Sequence, residues 1–112
     1  MSEKDQKGEM SGGGTFEFFV VNLTTKPLTG TVTWSGGSRK VPLDVNGLQP
    51  GTASARKAFS PQGGVKDQWQ WSARGRAYQL NIYDGDQYTV VVISDYGIGV
   101  LVTATAPDTW KW

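Results

Sequence analysis

Residues 67–76 read DQWQWSARGR and set two indoles two positions apart, followed by two guanidinium groups. On an extended strand residues i and i+2 project from the same face, about 7 Å apart. Trp69 and Trp71 therefore share one side, and Gln68, Gln70 and Ser72 the other. If one side is buried it is the indole side, because sealing an unpaired amide costs on the order of 1–3 kcal/mol. If the rings stay open, they form a platform for sugar C–H faces or a wedge for the headgroup layer of a bilayer. An intermediate arrangement packs one ring and leaves the other at the rim of a cleft, which suits a side chain that is seldom wholly buried. Arg74 and Arg76, at the turn that follows, can chelate a phosphate or a carboxylate, or simply keep the loop in water.

The same spacing returns as Trp110-Lys111-Trp112. These rings either seal the last strand onto a sheet or, if exposed, anchor at a lipid interface with the amine on phosphate. Tyr96, in the turn Asp95-Tyr96-Gly97, is a loop aromatic of the same kind. Asp84-Gly85-Asp86 resembles the start of a calcium loop, but the regularly spaced acidic ligands that should follow are missing, so it reads as a turn. Asp67, Asp84, Asp86 and Asp95 could supply the carboxylate pair of a glycosidase. All four sit at turns, where aspartate is common, and no spacing pairs any two of them.

Composition removes whole classes of chemistry. The chain has neither cysteine nor histidine. Disulfide scaffolds, Cys- or His-ligated zinc and imidazole- or thiol-based catalysis are thereby excluded. No P-loop, GxSxG or dinucleotide fingerprint occurs, and neither a metal nor a cofactor is expected. Eleven basic residues against ten acidic ones leave a net charge of +1, too little to steer the chain toward nucleic acid or anionic membranes. MSEKDQKGEM lacks the apolar centre of a secretory signal, and no apolar run approaches the roughly 20 residues of a membrane span. The expected location is the cytoplasm, with non-classical secretion left open.

A length of 112 residues suits one domain. Residues 1–14, polar and then glycine-rich, are expected to form a disordered tail. From residue 15 onward, short runs rich in Val, Thr, Tyr, Phe and Trp alternate with Gly, Pro, Asn and Asp. The segments predicted as strands are 15–23, 28–35, 39–45, 52–59, 68–73, 77–83, 88–94 and 98–106. The first is apolar on both faces near its middle, which marks a central strand. Pro42 cannot donate to a ladder and marks the third as an edge or a bulge. Asp84-Gly85 is a strong hairpin signal. The fold expected for residues 15–112 is an all-β antiparallel sandwich of about eight strands, with a small barrel as the alternative.

Three stretches, FVVNLTTKPLTGTV, GLQPGTAS and SPQGGVKDQWQW, carry a resemblance to the aegerolysin-like small β-sandwich proteins. It lies nearest the branch up-regulated in daf-2 mutants. The matching positions are Asn22, Thr24, Pro27 and Leu28; Leu48, Pro50, Gly51 and Ser54; and Gly64, Asp67, Trp69 and Trp71. The family's adjacent Trp-Trp becomes Trp-Gln-Trp here. The resemblance spans about residues 16–93. It implies a sandwich without enzymatic activity or signal peptide, of a group in which some members bind membrane lipids and recruit a larger pore-forming protein, while in the other branch pairing into dimers is known.

The function expected is thus a binding module for a membrane lipid headgroup or similar amphiphile, acting through Trp69, Trp71, Arg74, Arg76, Tyr96, Trp110 and Trp112. A carbohydrate-binding module using the same tryptophans is one alternative. The other is an interaction protein that dimerises through an unprotected edge strand.

Overall fold

The computed structural model describes residues 16–60, 67–74, 76–79 and 87–103. All of them lie in strands, turns or loops. The strands are β1 (Phe16–Leu23), β2 (Thr31–Gly36), β3 (Arg39–Asp44), β4 (Lys57–Ala58), β5 (Asp67–Trp71), β6 (Arg76–Gln79), β7 (Gln87–Ser94) and β8 (Gly97–Thr103). Seven have four or more residues, and β4 is a two-residue pairing. They form two sheets, β4-β1-β7-β8 and β3-β2-β5-β6.

Period-two patterning places the side chains. In β2, Val32 and Trp34 point inward, and Thr31 and Thr33 on the alternate positions are half-exposed. In β5, Asp67, Trp69 and Trp71 point inward against Gly36, Trp34 and Val32 of β2. β1 is apolar on both faces, as expected of a central strand, and lies between β4 and β7. Its Phe16, Phe18 and Val20 join Val32, Trp34, Trp69 and Trp71 of the other sheet in one core, while Phe19 and Val21 pack with Val90 on the reverse face. β3, with Pro42, is an edge strand as its proline requires.

Two expectations are corrected. The pairing is not antiparallel throughout: β1 runs parallel to β7 from Phe16 opposite Gln87 to Leu23 opposite Ser94. Local hairpin signals reveal only neighbours in sequence, whereas this pair is joined by a crossover that includes the whole second sheet. Segment 52–59 follows the edge of β1 without becoming a regular strand. Ser54 Oγ accepts the Val20 N–H at 2.9 Å, where a ladder carbonyl would otherwise serve, and Ser54 N–H donates to Val20 O at 2.8 Å. The segment ends on Phe59, whose ring stands edge-on to Phe16, Phe18 and Trp69 and tilted against Trp34, with centroids 5.0–5.9 Å apart. The tail 1–14, the Asp84-Gly85 hairpin and the chain end lie outside the described residues.

One charged group breaks the apolar pattern. Asp67 is fully buried, and neither carboxylate oxygen completes a hydrogen bond. Burial pushes its pKa up to about 6, only partly offset by the Trp34 indole N–H directed toward it. Gly36 opposite is glycine for want of room, since a Cβ there would stand 2.6 Å from the Trp34 ring.

In the unfolded chain Asp67 titrates near the ordinary aspartate value of 3.8, so the raised folded value destabilises the fold fully above about pH 6 and progressively less as pH falls toward 3.8. The unfolding free energy in urea should therefore rise by about 2 kcal/mol between about pH 8 and about pH 4.5. Asp67→Asn should lack that rise. Identical pH profiles for the two proteins would refute the assignment.

Candidate functional site

The chain crosses from the first sheet to the second between Leu23 and Thr31, and Asn22 holds that crossing in place. Its side chain is fully buried and fully used. The amide donates to Lys26 O at 2.9 Å and Leu48 O at 2.8 Å, and Oδ1 accepts from Thr24 N–H at 2.8 Å and the Thr24 hydroxyl at 2.6 Å. Such an Asx turn supplies partners that a buried loop backbone cannot obtain from water. Asn22 also opens the sequon Asn22-Leu23-Thr24, and the folded protein leaves its amide no room for a glycan.

The crossing is tied to the second sheet by the end of β5. Trp71 Nε1 donates to Thr29 O at 2.7 Å. Ser72 exchanges bonds with Thr31, its N–H donating to Thr31 O at 2.9 Å and its Oγ accepting Thr31 N–H at 3.0 Å. Gly30 lies between them at φ +89°, where a Cβ would also collide with Ser72 Oγ, so conformation and space both demand glycine. Arg74 N–H donates to Trp71 O at 3.1 Å and closes the turn.

Between this crossing, the end of β5 and the end of β7 opens a cleft of about 410 Å³. Residues 24–29 form one wall, and Trp71, Arg74, Ser94 and Asp95 complete it. Two cations, Lys26 and Arg74, thus share a concave surface with one carboxylate, Asp95. Arg74 is exposed. Beside the cleft the β7–β8 turn presents Tyr96, 99% exposed, and Leu23, opposite Ser94 in the ladder, is 54% exposed. Ser94 Oγ supports the turn by accepting Tyr96 N–H at 3.1 Å.

Of the residues expected to act, the structure brings Trp71 and Arg74 to one cleft and sets Tyr96 next to it. Trp69 is corrected: it is wholly buried, ringed by Phe18 and Phe59, and presents no platform. The reason is the one that pits its face against Gln68 and Gln70, because the apolar side of β5 closes the core. Trp71 keeps 8% of its surface, the edge lining the cleft. Arg76 begins β6, its side chain outside the described residues, as are Trp110 and Trp112. Asp67, buried at the start of β5, and Asp95, beyond the end of β7, make no catalytic pair, and Asp84 and Asp86 lie outside the described residues. Among the described residues no group of acidic side chains is placed to hold a metal ion.

Lys26 and Leu23 were not legible as site residues. Lys26 lies in an ordinary Thr-Thr-Lys-Pro turn, and long-range bonds from Asn22 and Trp71 bring that turn against Arg74 and Asp95.

No protein-family model matches the chain, and no curated protein matches it significantly. Among solved structures it is similar to an NMR structure of a protein from Eubacterium rectale, with a TM-score of 0.43 and 9% identity over 88% of this chain and 97% of that one. A likeness at that level carries no functional inference.

Asn22→Ala should cost about 1–3 kcal/mol, since it removes the amide bonds to Lys26 O and Leu48 O, which keep only the Thr24 hydroxyl and the Leu28 N–H as donors, and takes the acceptor from Thr24 N–H. Denaturant unfolding reads the loss. Wild-type stability in Asn22→Ala would show that the turn stands without it.

Proposed function

We propose that the chain is a non-enzymatic binding module on a β-sandwich frame, and that its cleft end docks onto a membrane lipid headgroup or a similar amphiphile. Support for the frame comes from side chains of both sheets entering one core. The observation that carries the function is the meeting of Lys26, Arg74 and Asp95 in one cleft beside the protruding Tyr96 and Leu23. Lys26 and Arg74 hold a phosphate, with the guanidinium offering paired donors. Asp95 suits the ammonium of a zwitterionic headgroup. Tyr96 and Leu23 enter the interfacial layer, where amphipathic rings and aliphatic side chains gain from leaving water. No cofactor, metal or nucleic acid is invoked.

The resemblance to aegerolysin-like proteins belongs to the same proposal. Asn22, Thr24, Pro27 and Leu28, which carry it, build or brace one wall of the cleft. A larger partner protein rests on that resemblance alone. The carbohydrate alternative uses the same cleft but loses its stacking platform, because Trp69 is sealed and the Trp71 N–H is already spent on Thr29 O.

Co-sedimentation with vesicles of phosphatidylcholine, phosphatidylethanolamine, phosphatidylserine or sphingomyelin tests the proposal. At least one composition should retain the protein, and Arg74→Ala and Tyr96→Ala should each weaken binding about tenfold while leaving the fold intact. Retention by none of them, or retention indifferent to both substitutions, would remove the lipid proposal. Capture by a glycan array without vesicle binding would favour the carbohydrate alternative.

A further inference from the structure

The two sheets end laterally in β3 and β6, and in β4 and β8. Sheet edges offer unpaired N–H and C=O groups to other strands, and proteins guard them with charge, proline or shortness. β3 carries Arg39, Lys40, Asp44 and Pro42. β4 has two residues, one of them Lys57, and β6 has four and opens on Arg76. β8 has no such guard. It runs seven residues, GIGVLVT, without a charge or a proline. β6 comes near it from the other sheet without joining its ladder, and among the described residues no strand pairs with its outer edge.

Inside β8, Gly99 is unaccounted for by the described residues. Its backbone is not left-handed, and a Cβ there would meet nothing within 4 Å among the described residues. Neither conformation nor space demands glycine, which weakens a strand interior. The ladder with β7 sets Gly99 opposite Val92 and Leu101 opposite Val90, so both project on the face turned away from the main core. Leu101 is 55% exposed there. A flat glycine and a protruding leucine, two residues apart on one face, are the two halves of a self-complementary contact.

We propose that β8 pairs with β8 of a second copy of this chain, antiparallel about Val100, so that each Leu101 lies over the other copy's Gly99. The same register sets Ile98 opposite Val102 in both halves. The absence of charge along β8 removes like-charge repulsion across the two-fold axis. The first sheets of both copies become one continuous sheet. Because the pairing is antiparallel, the two clefts lie at opposite ends of it.

Light scattering from about 1 to about 500 µM tests this, with the mass rising from 12.2 kDa toward twice that value. Leu101→Lys places charge on the seam. Gly99→Val adds a branched side chain that the single chain accommodates in open space but that meets the second copy's Leu101. Each should weaken the dimer at least about tenfold, with an unchanged circular dichroism spectrum and unchanged vesicle binding. Wild-type protein that stays monomeric at the highest concentration, or a dimer indifferent to both substitutions, overturns the proposal. Vesicle binding by the monomeric variants is read separately, so failure of one proposal leaves the other standing.

Discussion

Everything in this fold depends on aromatic packing between the sheets. Phe59 contributes no strand of its own, yet its ring touches Phe16 and Phe18 of β1, Trp34 of β2 and Trp69 of β5. Edge-to-face contacts of this kind add to the stabilisation from removing large rings from water. The consequence is exclusive: an indole consumed in joining the sheets is unavailable to a ligand. That constraint assigns Trp69 to stability and leaves the proposed recognition to the cleft beyond the core, where the packing stops.

At that end a second constraint operates. A crossing between two sheets must satisfy its backbone without a neighbouring strand, and the Asn22 side chain meets much of that need, with the Trp71 indole serving Thr29 O. Burying an amide is favourable only when every donor and acceptor is met, as it is here. The fixed turn leaves Lys26 beside the outlet of β5, and the cleft is a by-product of where the chain must cross. Asp67 shows the opposite case. A carboxylate that completes no hydrogen bond among the described residues occupies the core, so that fold stability and protonation are coupled at one residue.

Much of the fold was legible. The alternation in TVTW and in WQW sorted inward from outward residues, Pro42 marked an edge strand, and the two apolar faces of FFVV marked a central one. The parallel β1–β7 pair was not legible, because hairpin chemistry speaks only for adjacent strands. Segment 52–59 looked like a strand, yet Ser54 took over a ladder bond with its own hydroxyl, a substitution no periodicity betrays.

For the candidate site, residue type alone singled out Trp71, Arg74 and Tyr96, which the structure places in or beside one cleft, since indoles, guanidinium groups and loop aromatics are the groups able to grip an amphiphile. It could not divide Trp69 from Trp71, because an i, i+2 spacing places both on one face and says nothing about how far that face extends beyond the partner sheet. Composition and alternation follow from short-range sterics and from the cost of burying polar groups, so they are written along the chain. Which indole is sealed, which lysine meets which arginine, and why Gly99 has no reason to be glycine within one chain all depend on distances between segments far apart in sequence. Those distances exist only once the two sheets have closed on each other.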